Sequence, residues 1–170
     1  MHTVHRVGYI KMFVFYSKSA DKVPGRGSNE KVPEGDFSEL RKCVDWRKKL
    51  SNFWESEFDI DGVKWKSVEH YYQASKFKNG NRVLYEKIRD CESPVVAKRL
   101  GGKRNKCDDD FFVSGRCNDE MYRAQYAKFT QNDDLKKMLK DTGDAELWHY
   151  MRGGKLVRFV GLEKIRGMLN

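Results

Sequence analysis

A chain of 170 residues is long enough for one domain to bury about 70 % of the surface its unfolded form exposes, so one domain is the starting expectation. A hydrophobic share of 39 %, with ten Phe, eight Tyr and four Trp, excludes intrinsic disorder as a global description. Lysine and arginine number 34 against 25 aspartates and glutamates, and the resulting +9 draws anions, which favours phosphate-bearing ligands or nucleic acid without requiring them. The four cysteines, Cys43, Cys91, Cys107 and Cys117, contain no C-x-x-C pair. No zinc site is therefore expected, and no other metal or cofactor. Reduced thiols and a cytoplasmic or nuclear setting are the default for a sequence without a signal peptide pattern. The apolar run 12–16 is far too short for a bilayer, so no membrane partner is expected and a monomer is the default.

In chain order, residues 1–11 show no clear period and are expected to form a loose extension before a domain over 12–170. Phe13, Val14, Phe15 and Tyr16 read as a short buried strand, followed by the turn-forming Pro24-Gly25-Arg26-Gly27. A loop rich in Gly, Pro, Ser and charge runs on to about residue 36, long for a compact domain. Phe37, Leu40 and Val44 stand near helical spacing and predict one or two short helices before Leu50. Residues 58–65 alternate apolar and polar around Asp61-Gly62, a hairpin signal, because Asp-Gly supplies positive φ at low cost. Ser67 is a natural N-cap for a helix over 68–78 that stops at Asn79-Gly80. Helices are also expected at 82–90, at 93–100 with Pro94 in the first position, at 119–130 and at 133–141. A strand at 156–160 and a terminal helix through Leu162, Ile165 and Leu169 complete a mainly α fold with a few short β-strands and a β-hairpin.

Chemistry concentrates in 50–77. Glu69, Gln73 and Lys76 fall at i, i+4 and i+7 and share a polar stripe. A carboxylate in the first helical turn beside Phe53, Trp54 and Tyr72 is a candidate for partial desolvation, a raised pKa and general acid–base work. A first-turn Glu equally complements the helix dipole, and spacing does not separate the two roles. Lys18, at the end of a buried strand, is placed to be aimed into a cleft, where a desolvated amine attacks a sugar C1; most lysines are simply solvated. Gly25, Arg26 and Gly27 have the composition of a backbone nest that holds phosphate, and equally of an ordinary turn. Phe53 and Trp54 suit stacking on a planar ring, or core packing beside the hairpin. The cluster Lys98, Arg99, Lys103, Arg104 and Lys106 reads first as a solvated face, and second as an anion path or a contact to a nucleic-acid backbone. His70 and His149 lack partners at metal spacing.

Phe15-Tyr16-Ser17-Lys18, Leu50-Ser51-Asn52-Phe53-Trp54, Asp61-Gly62 and Ser67-Val68-Glu69-His70-Tyr71-Tyr72-Gln73-Ala74-Ser75-Lys76-Phe77 together resemble the NADAR, or YbiA-like, family. The likeness continues through 97–102, Glu120-Met121-Tyr122-Arg123-Ala124-Gln125, Lys128-Phe129 and 147–153. It implies a compact, multihelical YbiA-like domain whose members cleave ribose C1–nitrogen bonds. One branch hydrolyses early riboflavin-pathway intermediates, and another removes ADP-ribose from guanine in nucleic acid. On this resemblance Glu69 matches the essential carboxylate, and Lys18 the lysine that captures ribose C1 covalently in the second branch. Asn52, Phe53 and Trp54 match the substrate wall. Tyr72 and Gln73 are expected beside the substrate, and Arg26 and Arg152 to hold a pyrophosphate. The presence of Lys18, and His149-Tyr150-Met151-Arg152-Gly153 in place of an Asp-Trp-Gly word, favours the second branch. ADP-ribose or ADP-ribosylated nucleic acid is then the expected substrate. The alternatives are an N-glycosidase acting on phosphorylated riboflavin-biosynthesis intermediates and a non-catalytic ADP-ribose-binding module.

Overall fold

A computed structural model describes residues 8–33 and 35–169. In chain order the elements are β1 (Met12–Phe15), α1 (Ser38–Arg41), α2 (Trp46–Leu50), β2 (Phe58–Ile60), β3 (Val63–Trp65), α3 (Val68–Ser75) and α4 (Arg82–Asp90). They continue with α5 (Pro94–Leu100), α6 (Asp110–Val113), α7 (Arg116–Gln131), α8 (Asp133–Asp141), β4 (Glu146–Tyr150), β5 (Leu156–Arg158) and α9 (Val160–Met168). Helices dominate, in line with the mainly α expectation.

Local chemistry explains most of the boundaries. Asp61 and Gly62 both have positive φ, 53° and 76°, the backbone that lets β2 and β3 turn back on each other in two residues. The side-chain oxygens of Ser67, Asn81 and Ser93 accept from the backbone N–H groups of His70, Leu84 and Val96, starting α3, α4 and α5. His70 is fully buried beneath its cap. Its Nε2 donates to the Cys91 carbonyl (3.3 Å), so its Nδ1 accepts from the Ser67 hydroxyl (2.8 Å). The histidine is thus a neutral structural bridge between α3 and the end of α4.

A mixed sheet of order β1-β4-β5 was not foreseen. β1 pairs in parallel with β4, Met12 opposite Glu146 and Phe15 opposite His149, and β5 pairs antiparallel to β4. In Glu146-Leu147-Trp148-His149-Tyr150 only Leu147 is fully buried, so no period of two stands out in the sequence. Residues 1–7 of the expected extension lie outside the described residues. Lys11 is already part of the fold, its carbonyl accepting from Glu146 N–H (2.9 Å) and its ammonium pairing with Asp144 (3.2 Å).

Two apolar cores result. One joins the sheet to α1, α2, α8 and α9 through Phe13, Phe15, Trp46, Leu135, Leu147 and Ile165. The other lies under α3, α4, α5 and the hairpin, around Phe58, Trp65, Val68, Phe77, Ile88 and Ala97. α7 is their shared wall, giving Phe129 to the first core and Ala124 and Ala127 to the second. It also faces the turn that follows α2, where the candidate site begins.

Candidate active site

The turn after α2 is held from α7. The Lys128 ammonium, fully buried, donates to the carbonyls of Lys49 (2.6 Å) and Ser51 (2.8 Å) at the end of α2, where a cation meets the negative pole of the helix. Burial pulls this ammonium down to about 7. One turn back, the Gln125 amide donates to Asn52 Oδ1 (3.1 Å), and Asn52 Nδ2 lies 3.4 Å from the sulfur of Met121. Met121, Gln125 and Lys128 recur at helical spacing, so one stripe of α7 fixes residues 49–52. The Asn52 carbonyl then accepts the backbone N–H of Glu69 (3.0 Å), and the first turn of α3 is docked on that turn.

Glu69 is only 6 % exposed, and burial raises its carboxyl above the ordinary range. Gln73 donates to its Oε1 (2.7 Å), while Gln73 Oε1 accepts from Lys76 (2.7 Å), whose ammonium also donates to the Gly101 carbonyl (3.1 Å). The hydrogen bond from Gln73, followed by the charges of Lys98 and Lys76, works against that rise. Each lysine also sits over an aromatic ring: Lys98 is 5.4 Å from the centre of Phe53, and Lys76 is 5.3 Å from that of Tyr72. Burial lowers Lys76, and it lifts Tyr72 to about 12. His149, stacked on Phe159 at 5.0 Å, is pulled down to about 4 by burial and then by Lys98, and is neutral near pH 7. Lys98 therefore acts on groups of α3 and β4 together. A carboxyl that keeps its proton to higher pH than an exposed Glu can protonate a departing nitrogen, and once ionised it can face a cationic carbon.

The other expected site residues are distributed over three hollows. Lys18, exposed, lines one of about 400 Å³ with Tyr16, Gly27, Arg47 and Tyr150. Its neighbour Ser17 lines a second, of about 480 Å³, with Phe53, Trp54 and Pro94. Gly25 and Arg26 line a third with Arg41. Glu69 lines none of these three. Ser17 and Phe53 line the second together, and Lys98 lies over Phe53.

Three groups of expected residues have partners or positions that the structure makes plain. The N–H groups of Gly25 and Gly27 do not stand open as a phosphate cradle. Both donate to Glu30 Oε2 (2.9 and 3.1 Å), and the buried Arg47 guanidinium pairs with the same carboxylate (2.6 and 2.7 Å). The anion of this nest is the chain's own. The side chains of Gln73 and Asn52 are engaged within the chain, the first with Glu69 and Lys76 and the second with Gln125. Arg152 lies exposed in the β4–β5 turn and lines none of the three hollows. Gln125, Lys128 and Gly101 entered the sequence reading only as parts of matching words. The polar pair at spacing three on an otherwise buried face of α7 is the signal that marks the first two.

The same stretch of chain is what known proteins share. The family model for the NADAR domain matches residues 40–154. N-glycosidase YbiA of Escherichia coli (strain K12) is 37 % identical over 98 residues, 58 % of this chain and 59 % of that protein. The chain thus spans less than two thirds of the length of these curated relatives. Riboflavin biosynthesis protein VVA0006 of Vibrio vulnificus (strain YJ016) is 34 % identical over 98 residues, 58 % of this chain and 26 % of that one. The NMR structure of E. coli YbiA superposes with a TM-score of 0.61 at 28 % identity, over 72 % of this chain and 78 % of that chain. The matched segment contains the turn 50–54, the capped α3 with Glu69, and the α7 stripe that holds them, and the chain belongs to the NADAR domain family.

Proposed function

We propose that the protein is an N-glycosidase that removes ADP-ribose from guanine bases of nucleic acid by hydrolysing the ribose C1–nitrogen bond. The observation that carries the reading is Glu69: a buried carboxyl, raised by its surroundings, oriented by Gln73 and docked through its own N–H on the Asn52 turn. Departure of the base leaves positive charge on C1 and the ring oxygen. Glu69 donates a proton to the leaving guanine nitrogen, which takes the electron pair of the broken bond, and the resulting carboxylate stabilises the cationic carbon. Lys18, with the hollow beside it, supplies the amine of a covalent route. Its Nζ lone pair bonds to C1 as the C1–nitrogen bond breaks, and the nitrogen passes a proton to the Glu69 carboxylate. The bond from C1 to the ring oxygen then opens to a Schiff base as that oxygen takes the proton, and water adds to the Schiff-base carbon and expels the amine, leaving free ADP-ribose.

The test incubates the full chain with an ADP-ribosylated guanine oligonucleotide and borohydride. Release of ADP-ribose that is lost in Glu69→Gln, and a reduced adduct at Lys18 that is lost in Lys18→Ala, support the reading. No release from the oligonucleotide, with release of ribose phosphate from phosphorylated pyrimidine intermediates, overturns it in favour of a riboflavin-pathway glycosidase. The riboflavin-biosynthesis name of a relative favours that second reading. Tight binding of ADP-ribose with no turnover of either substrate identifies a binding module instead.

A further inference from the structure

The basic stretch that begins at Lys98 has no part in holding Glu69's hydrogen bonds. Lys98 and Arg99 lie near the end of α5, Lys103, Arg104 and Lys106 follow in the next turn, and all five are exposed. The carboxylates nearby in sequence are already engaged. Lys106 pairs with Asp109 (3.2 Å), and Asp108 and Asp110 both take Arg116 (2.7 and 3.2 Å). Among the described residues no carboxylate pairs with Arg99, Lys103 or Arg104. Arg99, Lys103 and Arg104 therefore stand unpaired and exposed along one short segment, next to Lys98, whose ammonium lies over Phe53.

That segment is joined to the site at two points. Gly101 packs on Gln73 and gives its carbonyl to Lys76, and Lys98 covers Phe53. Lys76 has a second aromatic neighbour, Phe112 of α6, whose ring centre is 6.0 Å from the ammonium and which is 57 % exposed. A row of uncompensated cations attracts a polyanion, and a bare ring beside it adds affinity only where the polyanion's own rings are unstacked. In a duplex the base faces are covered, whereas in a single strand they are open.

We propose that Lys98, Arg99, Lys103 and Arg104 with Phe112 form the surface that binds a single-stranded nucleic acid, the cations along its phosphates and Phe112 under one base. The inference rests on the glycosidase reading only in taking this strand to be the one that delivers its modified guanine to Glu69.

Binding of an unmodified single strand of about 20 nucleotides is followed by fluorescence anisotropy between about 50 and 200 mM salt. Each phosphate neutralised on a single strand contributes about −0.7 to the slope of log K against log salt, so four contacts give about −2.8. Combining Arg99→Ala, Lys103→Ala and Arg104→Ala reduces this to about −0.7. Phe112→Ala weakens binding about tenfold and leaves the slope unchanged. Combining Lys87→Ala, Lys140→Ala and Lys164→Ala, an equal loss of charge at exposed positions elsewhere, leaves binding near that of the parent. With ADP-ribosylated substrates, the Arg99/Lys103/Arg104 variant keeps its turnover of a single modified nucleoside and loses about tenfold in kcat/KM on a modified oligonucleotide. A parental slope in that variant, an equal loss in the control variant, or equally tight binding of a duplex overturns the proposal. If neither modified substrate is turned over but the slope still falls in the variant, the glycosidase reading fails and this surface stands.

Discussion

Gly101→Ala tests whether Glu69 depends on the chain of contacts behind it. Gly101 has φ −78°, a backbone open to any residue, so the constraint at this position is space. An added Cβ would press on the carboxamide oxygen of Gln73 and lie 2.8 Å from its Cδ and 2.9 Å from its Cβ. Rotating the Gln73 side chain relieves the first two contacts but not the third, which is at the root. The buried amide must then give up its hydrogen bond to Glu69 and the one it accepts from Lys76. Hydrogen bonds to charged groups contribute about 1.5–3 kcal/mol, and about 1.4 kcal/mol is a factor of ten in rate. The expected result is a fall in kcat of about 10- to 100-fold with little change in KM. Overpacking at about 1–3 kcal/mol lowers Tm by about 3–10 °C. Removing the donor also lets burial raise Glu69 further, so the basic limb of the pH–rate profile moves to higher pH. Turnover of a modified guanosine and thermal melting are measured on Gly101→Ala, Gln73→Ala and the combination. Because Gln73→Ala removes the crowded carboxamide and leaves only the Cβ contact, the combination costs less stability than the sum of the two single variants while activity stays low. Parental kcat and Tm in Gly101→Ala, or fully additive destabilisation in the combination, refutes the reasoning.

Glu69→Gln removes a carboxyl whose folded value is raised above its ordinary 4.5. The stability this group contributes is present below 4.5 and lost as pH rises through the folded value, so the variant melts above the parent at pH 7 and the gap closes below pH 4.5. Lys128 is held near 7 in the fold against 10.5 when exposed, so the unfolded chain binds more protons between these values and parental stability rises with pH across that window. Urea titrations at several pH values find that rise reduced in Lys128→Met. Arg47→Met strands the Glu30 carboxylate, whose side chain is 0 % exposed. It costs about 3–5 kcal/mol in chemical denaturation, and a loss below about 1 kcal/mol contradicts the buried pairing.

What the sequence reveals here follows the range of the interactions. The Ser67 cap, the Asp61-Gly62 turn and Pro94 at the start of α5 are settled within a few residues, and they read directly. β4 does not, because what makes Glu146–Tyr150 a strand is pairing with β1 at the other end of the chain and with β5 beyond a turn. The site divides the same way. Glu69, Gln73 and Lys76 lie on one helix, and their shared stripe is visible in spacing. The Lys128 bonds to Lys49 and Ser51 and the Gln125 bond to Asn52 cross from α7 to the end of α2, and nothing local announces them. Gly25-Arg26-Gly27 has the composition of a nest and forms one, but its occupant, Glu30, is fixed by Arg47 from α2. Lys98 reads as solvated in sequence, and only the fold sets it beside Phe53 and within the field of Glu69 and His149.

The parallel pairing of β1 with β4 has a consequence for the order of assembly. The hairpin and the helices from α3 to α7 surround their own core using contacts within the middle of the chain, and a nascent polypeptide can settle them early. β1 must wait for a partner far along the chain, and closing so long a loop is a slow step in folding. Tyr16 and Tyr150, which meet at 5.6 Å across that junction, both line the hollow of Lys18. The hollow that Lys18 lines is therefore completed after Glu69 has been set in place on α3.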